Sequence, residues 1–298
     1  MNRDSDFKAC ATVKALLKCA AVHLSRAGIS TPELDAELLM MHQLGVDRTG
    51  LFMVQRDPVS QDVLAGFQAL VQRRCGREPL AYITESTGFW DLDLDVKPGV
   101  LVPRPDTETL IEAALEVLPA ATEKQRRLVD LGTGSGAIAL SMASASPGHL
   151  VFATDRSPLA LDVARSNARK NGLQENLFFV CGLWLSPFSR KAPSFDMVLS
   201  NPPYIPTKDI DALEPEVSVF EPRLALDGDE DGLRDYRAIV GECMYHLKPG
   251  GWLLFEMGWD QKEAVREILG DSRLFEEISH INDYAGNNRV VRARRKRG

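Results

Sequence analysis

A mostly parallel α/β sheet of seven strands, preceded along the chain by a helical bundle and a β-hairpin linker, is the fold this sequence predicts. Three observations predict it. Beyond residue 127, short apolar runs alternate with helical patterns, which implies βαβ units. A glycine-rich turn, Gly132-Thr133-Gly134-Ser135-Gly136, directly follows the first of those runs. Before residue 77, apolar residues recur instead at three- and four-residue spacing, the period of an amphipathic helix.

The helical part is assigned to residues 1–76. Val13, Leu16, Leu17 and residues 20–24 form the first stripe. Thr31 before Pro32 predicts an N-cap with proline at the first helical position, and Leu34, Leu38, Leu39, Met41 and His42 follow. Ser60 opens a third stretch carrying Val63, Leu64, Phe67, Leu70 and Val71, closed by Arg73, Arg74 and Gly76. This bundle carries no chemistry of its own. It is either a packing appendage or a docking surface for a macromolecular substrate.

Residues 77–104 change to a strand-and-turn pattern and are assigned as a β-hairpin linker. Leu80, Tyr82 and Ile83 form one apolar run, Phe89-Trp90 precede the alternating Leu92-Asp93-Leu94-Asp95-Val96, and Pro98-Gly99 turns the chain before Val100-Leu101-Val102. Residues 105–298 form the third segment. Asp106 is the expected N-cap of a helix over 110–118. Strands are expected at 128–131, 150–154, 177–180, 196–200, 251–256, 275–280 and 289–293.

Composition narrows the function classes. Of the 298 residues, 44% are hydrophobic and 26% charged, ordinary values for a globular protein. No apolar run reaches the ~18 residues needed to span a bilayer, and the polar start at 1–6 has no signal-peptide pattern. Cys10, Cys19, Cys75, Cys181 and Cys243 are odd in number and contain no C-x-x-C pair. That favours reduced thiols in the cytoplasm and no metal site. A net charge of −7 argues against a broad nucleic-acid footprint. The basic tail at 292–297 is either a solvated terminus or a weak contact for RNA.

Two motifs carry the chemistry. The first is the glycine loop, which leads into a helix over 137–143; glycine permits the tight turn and lets main chain approach a ligand. Asp155 ends the next strand roughly 20 residues on, where a carboxylate can accept from both ribose hydroxyls. The alternative for Asp155 is a cap on the helix that starts at Ser157-Pro158. Gly132, Gly134 and Ala137 also fit a relaxed dinucleotide pattern, so a nicotinamide enzyme is a rival. The second motif separates the two. Asn201-Pro202-Pro203-Tyr204 ends an apolar run, Phe195-Asp196-Met197-Val198-Leu199-Ser200. Two prolines cannot continue a strand, so an Asn amide, main-chain carbonyls and an aromatic face are left at its carboxyl end, where ligands bind in open α/β sheets. Acceptors beside a ring suit a planar group bearing –NH2. A dehydrogenase has no use for such a cradle, and no Tyr-x-x-x-Lys pair is evident.

These residues resemble class I S-adenosylmethionine-dependent methyltransferases acting on planar amino groups, and more closely the bacterial peptide-chain release factor glutamine N5-methyltransferase family. The likeness covers nearly the whole chain. It runs through 77–83, Val102-Pro103-Arg104-Pro105-Asp106-Thr107-Glu108, 129–140, 200–205, Phe220-Glu221-Pro222 and Asp283-Tyr284-Ala285-Gly286. The resemblance implies a Rossmann-like seven-stranded domain and S-adenosyl-L-methionine as donor, with S-adenosyl-L-homocysteine as product. Cofactor contacts are implied at Gly132, Thr133, Gly134, Ser135, Gly136, Asp155, Trp184 and Asn201. Substrate contacts are implied at Asn201, Pro202, Pro203 and Tyr204, with Asn201, Pro202 and Tyr204 catalytic and no metal. Trp184 suits a flat apolar wall near an adenine; the alternative is a core tryptophan. One position departs: the family often has an acid just before that tryptophan, and here stands Leu183.

The expected activity is methyl transfer to the N5 amide of the glutamine in the Gly-Gly-Gln loop of release factors. The expected protein is a monomer needing neither membrane nor nucleic acid. Alternatives are a ribosomal-protein glutamine methyltransferase and an N6-adenine methyltransferase on DNA or RNA; a non-catalytic adenosyl-ligand-binding partner is disfavoured by intact Asn201 and Asp155. Against adenine stand the acidic balance and the lack of a basic target-recognition domain. Arg104 and Glu108 are expected either to close over the cofactor or protein substrate or only to brace the linker; Glu256 is similarly open.

Overall fold

The computed structural model describes residue 7 and residues 11–118 and 124–297; residues 1–6 and Cys10 lie outside the described residues. The chain divides into two compact units, one reaching Ser86 and also holding Glu214–Phe220, the other made of Thr87–Leu213 and the chain from Glu221 onward. No helix among the described residues is long and apolar enough to cross a membrane.

The first unit is helical: α1 (Val13–Arg26), α2 (Pro32–Leu44), α3 (Arg48–Val54), α4 (Gln61–Cys75) and α5 (Leu80–Thr84). Thr12, Asp47 and Ser60 cap α1, α3 and α4 by accepting from the N–H three residues on. Thr31 does not cap α2 as the sequence predicted. Its hydroxyl donates to Asp35 Oδ1 at 2.7 Å instead, because Asp35 is buried and needs donors. The stripes meet in one core in which Leu16, Leu24, Leu39, Met40 and Phe67 are fully buried. The run Leu80, Tyr82, Ile83 is a turn of helix and not part of the hairpin; Ile83 joins this helical core.

A buried ion cluster lies at the end of α4. Arg74 Nε donates to Asp35 Oδ2 at 2.7 Å, and its Nη1 donates to Glu216 Oε1 at 2.7 Å and to the Glu78 carbonyl at 3.1 Å. Arg77 bonds Glu216 and Glu214 in turn.

The second unit opens with a two-stranded hairpin, β1 (Ser86–Phe89) and β2 (Leu92–Asp95). Helix α6 (Glu108–Val117) follows a 3-10 turn at Pro105–Thr107. Asp106 is not its cap; the carboxylate lies 3.0 Å from Arg289. Then come β3 (Arg127–Leu131), α7 (Ala137–Ala145), β4 (Leu150–Asp155), α8 (Pro158–Lys170), β5 (Leu177–Cys181) and β6 (Phe195–Ser200). After a long connection come α9 (Arg234–His246), β7 (Leu247–Glu256), α10 (Lys262–Asp271), β8 (Phe275–Asn282) and β9 (Asn288–Arg295). All seven expected strands are present, in the order β5-β4-β3-β6-β7-β9-β8. β9 is antiparallel to both its neighbours, and the remaining pairs are parallel.

Alternation along the strands feeds two cores. Leu128, Met197 and Leu199 join a core with α6, α7 and the hairpin. Val129, Leu131, Val198 and Phe255 face α9 and α10. Most of the basic tail is not a free, solvated terminus. It is strand β9, whose Arg292 bonds Glu116 and whose Arg294 bonds Glu277 and lies over the Trp252 ring.

Replacing Arg74 by Met leaves two carboxylates without their shared cation. Urea unfolding of the full chain should show a loss of about 3–5 kcal/mol, the usual effect of removing one partner from a buried pair.

Candidate active site

β3 lies between β4 and β6, all three parallel, so successive connections leave in opposite directions and open a crevice beyond their carboxyl ends. Leu131 pairs with Ser200, and Ser200 Oγ donates to the Leu131 carbonyl at 2.7 Å. Gly132 and Asn201 therefore leave the sheet from neighbouring positions. Both line a cavity of about 650 Å³.

The glycine loop forms one wall. Gly132, Gly134 and Gly136 have φ of +75°, +57° and +92°, a region where a side chain is strained. The Gly132 and Thr133 N–H groups both donate to the Thr154 carbonyl at 2.9 Å. A Cβ on Gly132 would stand 3.2 Å from the Trp184 ring, so its absence admits the indole against the loop. Gly136 does not line the cavity. A Cβ there would meet Leu140 at 2.5 Å and Ala164 at 3.2 Å, so this glycine lets α7 start against α8.

Asp155 sits at the next strand end. Its Oδ2 accepts from the Gly134 N–H at 3.0 Å and its Oδ1 from the Ser157 N–H at 2.8 Å. Ser157 itself caps α8 by accepting from Ala160. Burial raises the Asp155 pKa against these two bonds. The carboxylate is thereby held in place and lines the cavity with acceptor capacity remaining.

Asp130 was not among the sequence candidates. It is fully buried, and its Oδ2 accepts from Thr133 Oγ1 at 2.6 Å and the Ala139 N–H at 3.2 Å, while Oδ1 has no partner among the described residues. Burial pushes its pKa up to about 7. An acid inside an apolar strand just before a glycine loop was the available signal.

The proline motif forms the facing wall. Asn201 and Pro203 line the cavity, whereas Pro202 is buried and, like Tyr204, does not line it. The Tyr204 ring packs on the second core, and burial, then Glu256, pushes its pKa up to about 12. Gln261 Nε2 donates to the Tyr204 carbonyl at 2.9 Å. Gly228 and Gly232 press on the same main chain: a Cβ on Gly232 would collide with the Tyr204 carbonyl, and one on Gly228 would lie 2.8 Å from the Pro203 carbonyl. Among the described residues no hydrogen bond reaches the Pro202 carbonyl. Asn201 Nδ2 donates to Thr107 Oγ1 at 3.4 Å.

The remaining candidates divide by role. Arg104 lines the cavity and donates to Glu221 Oε2 at 2.5 Å; Glu221 also accepts from the Val102 N–H, tying together two segments of the rim. Glu108 accepts from the Trp90 N–H at 2.8 Å and so braces the hairpin. Trp184 both lines the cavity and packs on the second core. Leu183 lines it beside Glu242, whose carboxylate accepts from the Leu185 N–H at 2.9 Å.

Known proteins bear directly on this arrangement. Residues 15–84 match the PrmC N-terminal domain and residues 106–215 the methyltransferase small domain. The release factor glutamine methyltransferase of Geobacter sulfurreducens is 40% identical over 95% of this chain and 96% of its own. That of Vibrio cholerae is 41% identical over 94% of this chain and 96% of its own. The chain belongs to the release factor glutamine methyltransferase family. A methyltransferase of known structure from Pyrococcus furiosus, 19% identical, shares the fold at a TM-score of 0.50 over 77% of this chain and 98% of that one. Membership in the glutamine methyltransferase family gives the cavity its context: both walls lie within a methyltransferase domain, on either side of its central crevice.

The buried Asp130 makes a pH prediction for this family member. Folded Asp130 keeps its proton up to about pH 7, whereas the unfolded chain releases it near pH 4. Between those values the folded state binds more protons, so stability falls as pH rises. Asp130→Asn cannot ionise and should gain on the parent by up to about 1.4 kcal/mol per pH unit across this window. Urea midpoints of both proteins at pH 5, 6 and 7 would check this; parallel curves would contradict it.

Proposed function

We propose that this chain transfers the methyl group of S-adenosylmethionine to the side-chain amide nitrogen of the glutamine in the Gly-Gly-Gln loop of peptide chain release factors. The observation that carries the reading is the meeting, in one cavity, of the glycine loop and Asp155 with the Asn201 amide at a proline-broken strand end. Membership in a family whose relatives are named release factor glutamine methyltransferases supports the substrate. A release factor substrate is met in the cytoplasm.

The residues fit the donor. Gly132 and Gly134 offer main chain without a Cβ, Asp155 a fixed carboxylate for ribose hydroxyls, and Trp184 a flat wall for a purine. When bound, the donor supplies a sulfonium methyl already activated for displacement. The task left to the protein is to present a poor nucleophile, an amide nitrogen whose lone pair is delocalised into its carbonyl. Asn201 Oδ1 and the Pro202 carbonyl accept the two N–H bonds of the substrate carboxamide. That aims the nitrogen and favours positive charge developing on it. The Tyr204 ring, packed on the second core, backs the motif instead of lining the cavity. No base has to act first, and the proton leaves after transfer.

Incubation with labelled donor and purified release factor, ribosomal proteins and DNA tests the reading directly. Label is expected on the Gly-Gly-Gln glutamine; label only on a ribosomal protein or on adenine would replace it. Asn201→Ala should lower turnover about 100-fold or more with donor affinity little changed, the usual effect of losing a transition-state contact. Asp155→Ala should instead weaken donor binding about tenfold or more, as a charged hydrogen-bond acceptor is lost. Isothermal titration with the product nucleoside beside steady-state kinetics separates the two.

A further inference from the structure

Trp184 has a backbone φ of +48°, in the left-handed region that a bulky side chain rarely adopts. Strain of that kind persists only where the surroundings over-determine it, and it concentrates at functional sites. Two hydrogen bonds flank the tryptophan. Before it, the Gly182 N–H donates to the Asp155 carbonyl at 2.9 Å. After it, the Leu185 N–H donates to Glu242 Oε2 at 2.9 Å. Between them a turn closes at Ser186, whose N–H donates to the Leu183 carbonyl at 3.0 Å and whose hydroxyl donates to the same oxygen at 2.6 Å. The indole lies against the glycine loop, where a Cβ on Gly132 would stand 3.2 Å from the ring.

The two bonds differ in origin. Cys181 pairs with Asp155 at the end of β5, so the Gly182 bond only extends the β4–β5 ladder by main-chain groups. Glu242 is instead a side chain on α9, one turn after Ala238, and both line the cavity. Its other oxygen, Oε1, is 3.7 Å from Arg190, a long and mostly exposed ion pair that contributes little. The short bond of this carboxylate therefore goes to one main-chain amide, 57 residues away in the chain.

From this geometry we infer that Glu242 is a positioning residue for the donor site: by holding the Leu185 N–H it fixes the turn that carries Trp184 and keeps the indole against the glycine loop as a wall of the cavity. Glu242 acts through Trp184. The inference rests on the reading of this cavity as the S-adenosylmethionine site and assigns to α9 a part in shaping it.

Glu242→Ala removes the acceptor, and Glu242→Gln keeps an oxygen there without the charge. Isothermal titration with S-adenosylhomocysteine should show affinity about tenfold weaker in Glu242→Ala and within about twofold of the parent in Glu242→Gln. In a Trp184→Ala background, Glu242→Ala should change affinity less than about twofold, because residues acting as a unit are not additive. A second readout needs no ligand. With 5-fluorotryptophan at the four tryptophans, the 19F resonance of Trp184, assigned by its loss in Trp184→Phe, should move in Glu242→Ala and hold its place in Glu242→Gln. Glu242→Leu serves in the same way should the alanine variant not fold. Unchanged affinity in Glu242→Ala, an equal loss with or without Trp184, or an unmoved resonance would each overturn the inference. So would a loss in Glu242→Gln as large as in Glu242→Ala, which would make Glu242 a direct charge contact. If the resonance moves as expected while the parent binds no adenosyl nucleoside, the hold on Trp184 stands and the donor reading fails.

Discussion

The parallel pairing of β3 with β6 is the constraint on which the site depends. Strand order reverses at that pair, so the loops that follow diverge and leave a crevice. The Ser200 hydroxyl, bonded to the Leu131 carbonyl, joins the two strand ends at the last residue before each loop. A glycine turn and a proline turn, each unremarkable alone, become the two walls of one cavity. A shift of one residue in this register would turn every side chain of β6 to the opposite core.

Prolines at a strand end remove ladder hydrogen bonds, and the structure replaces them from outside the sheet. Gln261 bonds the Tyr204 carbonyl, and Ile205 exchanges main-chain bonds with Leu226 and Gly228. Gly228 and Gly232 permit that close approach, because their missing side chains leave room for the carbonyls of Pro203 and Tyr204. The motif is thus held in place by residues lying 21 to 57 positions downstream in the chain. The Pro202 carbonyl and one side of the Asn201 amide escape this bonding.

Among the carboxyl groups buried in the larger unit are Asp130 just before the glycine loop, Glu256 at the carboxyl end of β7 and Glu221 at the cavity rim. Burial raises the pKa of each. Ionised groups in such places cost stability unless bonded. Among the described residues, Asp130 and Glu256 each retain an unpartnered oxygen. Strain of this kind concentrates where a protein orients groups for chemistry.

By itself the sequence determined the order of elements in the larger unit and both motifs, since strand runs, glycine turns and a proline break are local signals read from neighbouring residues. It also marked Asp155 by position, while Trp184 came from the family resemblance. It misjudged local bonding at three places: Thr31 turns from its helix end to Asp35, which the distant Arg74 also binds, Asp106 turns to Arg289, and Leu80 to Thr84 coils instead of extending. Asp130, Gln261 and Gly232 were decided only by tertiary structure. Their roles consist of a burial, a hydrogen bond or a close approach between segments far apart in sequence, and no local pattern encodes which distant group will arrive. The cavity belongs to the same class, because it is the space left where two loops diverge, and no residue's type specifies that space before the sheet is assembled.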